Sequence, residues 1–246
     1  MVNFRYVVED GKFKTLNFVL SSKEHLDFIL STGERVDGSS LFALIEAGGS
    51  DLYVIPRYRT AFVNPFADVP TIDILCPFYV NTGKPFESAP ENVLRKAHDL
   101  FKKETGMTFK ALAELEYYVI SERDDFYPGV DQKGYHASEP FAKWENLRRE
   151  ALIFIARAGG KVKYGHSEVG CFMTNEHLYE QHEIEFLPMS AEEAVEQLVI
   201  AKWIVRMLGY RYGVDISFAP KTTVGKAGSG LHFHIMAGKD GKKHDG

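Results

Sequence analysis

The chain has 246 residues, 45% of them hydrophobic and 26% charged, with a formal net charge of −5. This is ordinary globular composition, long enough to bury a core and to form one or two domains. The acidic balance offers no nucleic-acid footprint, and no apolar run reaches the ~18 residues of a membrane-spanning helix. Cys76 and Cys171 are the only two cysteines and lie far apart. They argue against a disulfide framework or a thiolate zinc site and suit a reducing compartment. No basic segment followed by an apolar run opens the chain, so a cytoplasmic protein is expected.

In chain order, residues 4–20 (FRYVVEDGKFKTLNFVL) place two strand-like runs around Asp10-Gly11, which predicts a hairpin. Ser22 and Gly33 bound a short helix, and SDLYVIPRY and TIDILCPF read as further strands. The turn-rich NTGKPFESAP marks a boundary, giving units 1–84 and 85–246. Ser88 and Glu91 have capping-box spacing and predict a helix closed by Gly106. FKALAELEYYVI follows as a strand, then residues 140–158 as a helix ended by Gly159-Gly160. GKVKYGHSEVG and YEQHEIEFLP read as strands. Ser190 and Glu193 repeat the capping spacing before a helix that Gly209 should end. GVDISFAPK and GLHFHIMAG are the last strands. Frequent hairpin signals predict an α+β fold with a mainly antiparallel sheet.

Chemistry is suggested by acids inside apolar strands. Glu114 and Glu116 alternate in ALAELEYYVI, Glu183 and Glu185 in QHEIEF, and Glu168 lies in GHSEVG. Residues two apart on a strand share a face. Like charges on one partly buried face repel and lose hydration, so they call for a cation. Carboxylates with an imidazole and no thiolate suit Mg²⁺ or Mn²⁺. His232 and His234 share a face of the final strand. The preceding GKAGSG is no Walker loop, because no Lys-Ser/Thr follows it. It reads as a turn or a close backbone approach.

Together these segments resemble the glutamine synthetase family in its bacterial-type form. VDGSS (36–40), TAFVNPF, TGKPFESAPENVLRKA, ELEYYV, KGYHASEP, GHSEVG, QHEIEF and GSGLHFHI are similar to family motifs in order. The resemblance implies a β-grasp N-terminal domain followed by part of a catalytic domain with a curved, mainly antiparallel sheet. It also implies an ATP-dependent ligase that joins glutamate and ammonia through γ-glutamyl phosphate, in a dodecamer with sites between subunits. Carried over residue by residue, Glu116, Glu168 and Glu183 would hold one Mg²⁺ or Mn²⁺, and Glu114 and His232 a second. Gly228 would approach glutamate and His234 the nucleotide phosphates. Asp37, with Ser40 nearby, would take a proton from ammonium at a neighbouring subunit's site, and Tyr135 would lie near the ammonium pocket.

Three departures accompany the resemblance. Ala227 stands where the family usually has Asn, and the segment between Glu168 and Glu183 is about seven residues longer than its usual spacing. The chain also stops before the family's phosphate-binding arginines, which predicts an inactive N-terminal fragment. An amine ligase of the same family and a non-catalytic homologue that binds nucleotide are the alternative readings.

Overall fold

The computed structural model describes residues 1–46, 50–239 and the short strand 242–243. The chain divides into two compact units, Met1–Thr108 and Phe109–Gly246. The first contains β1 (Val2–Val7), β2 (Phe13–Phe18), α1 (Lys23–Thr32), β3 (Glu34–Asp37), β4 (Asp51–Val54), β5 (Phe62–Val63), β6 (Ile72–Leu75), β7 (Phe78–Val80) and α2 (Pro90–Thr105). Strands β2-β1-β6-β5 form one sheet and β3-β4-β7 another. The expected hairpin pairs Val2 with Phe18 and Val7 with Phe13, and Gly11 takes the left-handed conformation in its turn. Among the described residues of this unit, pairing is antiparallel except between β1 and β6. Phe4, Tyr6, Phe42, Val54, Ile74 and Phe78 belong to its buried cluster.

The helix caps show where local sequence decides. The Ser22 hydroxyl accepts the His25 amide at 3.1 Å, and Gly33 ends α1. The expected Ser88 cap is not used. Ala89 is the N-cap, Pro90 takes the first turn, where its missing N–H costs nothing, and Glu91 instead accepts the Phe78 amide at 3.0 Å. Gly106 ends α2 as expected, with φ of 68°.

The second unit comprises β8 (Thr108–Glu122), α3 (Glu145–Arg157), β9 (Val162–Met173), β10 (His177–Phe186), β11 (Met189–Ser190), α4 (Ala191–Tyr212), β12 (Asp215–Ser217), β13 (Leu231–Lys239) and β14 (Lys242–Lys243). The order is β14-β13-β8-β10-β9, with β11 and β12 also pairing β8. The helix expected over 140–158 starts only at Glu145, because residues 140–144 are spent in turns. Glu193 accepts both the Ser190 hydroxyl (2.7 Å) and its amide (3.4 Å) to open α4. Gly209 does not end that helix. It lies inside it, where a Cβ would come 3.0 Å from the Val214 carbonyl, and Gly213, with φ of 71°, is the cap.

Alternation along β8 and β10 gives the sheet two chemically different faces. Leu115, Tyr117, Val119, His182, Ile184 and Phe186 are each at most 2% exposed. Their face also holds a polar cluster. Arg148 of α3 donates to His182 Nδ1 (2.7 Å) and to the Ser167 hydroxyl (2.9 Å), and His182 Nε2 lies 2.9 Å from Glu180. Glu180 in turn accepts the amides of Lys143 (2.7 Å) and Trp144 (3.0 Å). The buried cation thus ties α3 to β9 and β10 from behind the glutamates. Arg148→Ala should lower unfolding stability by about 1–3 kcal/mol, because it leaves the buried His182 Nδ1 and Ser167 hydroxyl without their donor. Urea denaturation monitored by tryptophan fluorescence measures this, and a loss under 1 kcal/mol would show the cluster to be dispensable.

Candidate metal centre

The opposite face gathers the acids. Register places Glu183 directly across from Glu116 and Glu185 across from Glu114. On the other side of β10, Glu183 faces His166. Glu168 joins through His166, whose Nδ1 lies 3.8 Å from the Glu168 carboxylate and whose Nε2 lies 3.4 Å from that of Glu183. From β13, His232 Nδ1 lies 3.1 Å from Glu114 and 3.7 Å from Glu116. All five residues expected to hold metal, Glu114, Glu116, Glu168, Glu183 and His232, therefore lie on one face.

Electrostatics single out Glu183. Burial first, then the charges of Glu116, Glu168, Glu114 and Glu185, push its carboxyl up to about 8. Glu185, two residues further along the same strand, behaves oppositely. Burial opposes its ionisation, but hydrogen bonds from Lys163 Nζ (2.8 Å) and the Tyr164 hydroxyl outweigh that and hold it below the usual range.

Two further residues build the centre and were not singled out in the sequence. His166, Glu183 and Glu185 each offer a ligand atom within 4.8 Å of the others. Glu185 already has a lysine and a tyrosine, so His166 is the more available addition. Its signal was present in GHSEVG, two residues before Glu168 on the same strand. Gly230 is the second. Its amide donates to Glu116 Oε2 at 2.9 Å. A Cβ there would sit 2.7 Å from His232 Nε2 and 2.9 Å from Glu116 Oε1. This glycine clears space for metal-site side chains.

Other expected site residues are placed as follows. His234 Nε2 lies 2.9 Å from Glu114, in the same set as His232. Tyr135 stacks on His136 (4.0 Å) and meets His166 edge-on (5.4 Å), which brings it beside the carboxylates. The Gly228 carbonyl accepts the Gln181 amide at 2.9 Å. A Cβ on Gly228 would run into the Pro220 carbonyl. Asp37 and Ser40 lie in the first unit. There the Asp37 carboxylate accepts the hydroxyls of Ser40 (2.6 Å) and Ser39 (2.7 Å) and the Ser39 amide (3.0 Å). These bonds, together with one from Ser50, hold its carboxyl well below the usual range.

The donor set fits a hard divalent cation. It is rich in carboxylate oxygen, carries imidazoles, contains no thiolate, and includes one acid whose charge the others oppose. Among the described residues no helix is long and apolar enough to cross a membrane.

The family model for the glutamine synthetase catalytic domain matches residues 87–244, and that for the glutamine synthetase β-grasp domain matches residues 1–81. The glutamine synthetase of Methanococcus voltae is 28% identical over 98% of this chain and 54% of its own length. That of Thermus thermophilus is 28% identical over 84% of this chain and 46% of its own length. The chain spans about half the length of the curated relatives it matches. Among solved structures, Plasmodium falciparum glutamine synthetase aligns with a TM-score of 0.85 at 19% identity, covering 98% of this chain and 51% of that one. A GmaS/ADP complex aligns at 0.82 and 16% identity, covering all of this chain and 55% of that one. At such identities these two structures speak for the fold alone.

Two outcomes follow from the geometry. In chelator-treated protein, Glu183→Gln should stabilise the fold. The Glu183 carboxyl ionises near 4.5 when unfolded and about 8 when folded. The native state therefore loses stability as pH rises from 4.5 to 8. After solvent screening the variant should gain about 1–2 kcal/mol at pH 8 and nothing at pH 4. Thermal melts across that range measure the difference, and a pH-independent effect would contradict the charge argument. Gly230→Ala should displace Glu116 or His232 and destabilise by about 1–3 kcal/mol. A parent-like melting curve would show that the close approach is relieved without cost.

Proposed function

The chain belongs to the glutamine synthetase family, and from that premise we propose that it contributes the metal centre of a glutamate–ammonia ligase. This ligase joins glutamate to ammonia at the expense of ATP through γ-glutamyl phosphate. The carrying observation is the convergence of Glu114, Glu116, Glu168 and Glu183 with His166 and His232 on one sheet face, with Glu183 forced toward protonation by its neighbours. In this reading Glu116, Glu168 and Glu183 hold one Mg²⁺ or Mn²⁺, and Glu114 and His232 hold a second. Bound ions would neutralise the charge that builds as a phosphoryl group passes between anions.

The chain's own residues supply the rest. His234, paired with Glu114, faces the nucleotide phosphates. The Gly228 backbone, fixed by Gln181, offers a polar edge to glutamate. Tyr135 shields the His166 side of the cluster. Asp37, kept ionised by its serines, suits electrostatic attraction of ammonium better than uptake of its proton. We assign residues 1–84 to the β-grasp domain and 85–246 to the catalytic domain, with Asp37 serving the site of a neighbouring subunit in a homo-oligomer, a dodecamer by family likeness, in the cytoplasm. The curated relatives carry the name glutamine synthetase, which favours ammonia over other amines and catalysis over a silent homologue.

The test has two parts. Calorimetric titration of the 246-residue chain with Mn²⁺ should show binding that Glu183→Gln weakens at least about tenfold, the scale on which even outer groups of metal sites act. The longest reading frame that contains the chain should release phosphate from ATP only when both glutamate and ammonium are present. Unchanged titrations in the variant, or phosphate release indifferent to ammonium, would overturn the reading.

A further inference from the structure

Gln181 lies on β10 between the acids and the glycine-rich loop and is 1% exposed. Every atom of its amide is used. Its Oε1 accepts the Gly170 amide at 3.0 Å, which fixes the orientation of the group. Its Nε2 then faces Glu116 Oε2 (2.8 Å) and the Gly228 carbonyl (2.9 Å), with the Ser229 hydroxyl at 3.5 Å. Glu116 Oε2 also receives the Gly230 amide at 2.9 Å. That oxygen is saturated by protein donors, whereas Oε1 is turned toward His232, 3.7 Å away. The same loop is held from a second point, where the Tyr118 hydroxyl donates to the Ala227 carbonyl at 2.9 Å. Tyr118 holds the loop, whereas Gln181 holds both the loop and Glu116, so the two tethers differ in what they reach.

We propose that Gln181 is a positioning residue that decides which oxygen Glu116 offers the metal and couples occupancy of that centre to the order of the loop at 227–230. One amide holds both partners. Rotation of the Glu116 carboxylate would break its bond to Gln181 and its bond to Gly230, removing the loop's hold at Gly230 and loosening the amide that also carries the Gly228 carbonyl. Conversely, a cation that fixes the carboxylate tightens the loop. The inference rests on the reading of the carboxylates as a metal centre.

The experiment compares the 246-residue parent chain with Gln181→Met, which keeps the side-chain length but donates nothing, and with Tyr118→Phe, which cuts only the second tether. Mn²⁺ affinity is measured by electron paramagnetic resonance. Hydrogen exchange of the 227–230 amides is followed with and without Mn²⁺. The expected result is an about tenfold weaker Mn²⁺ affinity in Gln181→Met and loss of the Mn²⁺-dependent protection of those amides. Tyr118→Phe should exchange faster throughout, keep parent-like affinity and still respond to Mn²⁺. If Gln181→Met does not fold, Gln181→Leu, which likewise donates nothing and adds no charge, takes its place with the same expectation. Parent-like affinity and Mn²⁺-dependent protection in either folded variant, with binding intact in the parent, would overturn the inference alone. A parent chain that binds no Mn²⁺ would overturn the metal reading and this inference together.

Discussion

Like charge held on one face of a sheet is the constraint that the second unit is built around. Carboxylates directly opposite one another on paired strands destabilise the pair, and here there are two such pairs, Glu183 with Glu116 and Glu185 with Glu114. Each acid but one has a dedicated answer. Lys163 and Tyr164 serve Glu185, His232 and His234 serve Glu114, and Gln181 with the Gly230 amide serves Glu116. Glu183 is left facing a histidine 3.4 Å away and four acids. The strain of the arrangement therefore collects at one carboxyl group, and a divalent cation is the simplest agent that would relieve it.

The rigidity that keeps these charges together comes from the other face. Repulsion would splay β8 from β10 unless something resisted, and the resisting side is apolar and fully buried around Tyr117 and Ile184. The Arg148 cluster adds direction to that packing. Its guanidinium reaches Ser167, the residue between His166 and Glu168, and the Ser167 hydroxyl donates on to the Ala137 carbonyl at 3.0 Å. The segment that carries Tyr135 is thus fastened to the same strand that carries two candidate ligands. A buried charge pair is weak evidence of net stability; its directionality is what suits it to holding two strands and a loop in one register.

Much of this was legible in the sequence, for a local reason. Alternation has a period of two, so Glu114 with Glu116, and His232 with His234, had to share faces wherever the strands went. Which pairs would meet across strands was not legible, because register is set by long-range pairing and by the irregularity between Glu180 and His182 opposite β9. Gln181, sitting beside that irregularity, carried no signal of its own in the sequence. Helix ends failed where two residues of one type competed. Gly209 and Gly213 look alike in sequence, and only packing against β12 and a positive φ separate an interior glycine from a cap. Ser88 failed because Glu91, its expected partner in the cap, was claimed by β7.

The longer segment between Glu168 and Glu183 and the alanine at 227 looked like separate departures from the family pattern. In the fold they meet. The first of these segments contains the turn of the β9–β10 hairpin, where the Thr174 amide donates to the His177 carbonyl at 2.8 Å. Phe172 and Tyr179 stack across it at 4.4 Å, with Tyr118 edge-on to both. Lys226 lies over Phe172 and pairs with Asp131 at 2.7 Å. Ala227, next in the chain, has its amide taken by Gln132 (2.7 Å) and its carbonyl by Tyr118 (2.9 Å). An asparagine at 227 could fix such a loop with its side chain. Here the Gln132 and Tyr118 side chains bond the amide and carbonyl of residue 227 itself, and the aromatic layer of the hairpin packs against Tyr118. Substitutions at 172, 179 and 227 should therefore be read as changes to one structure.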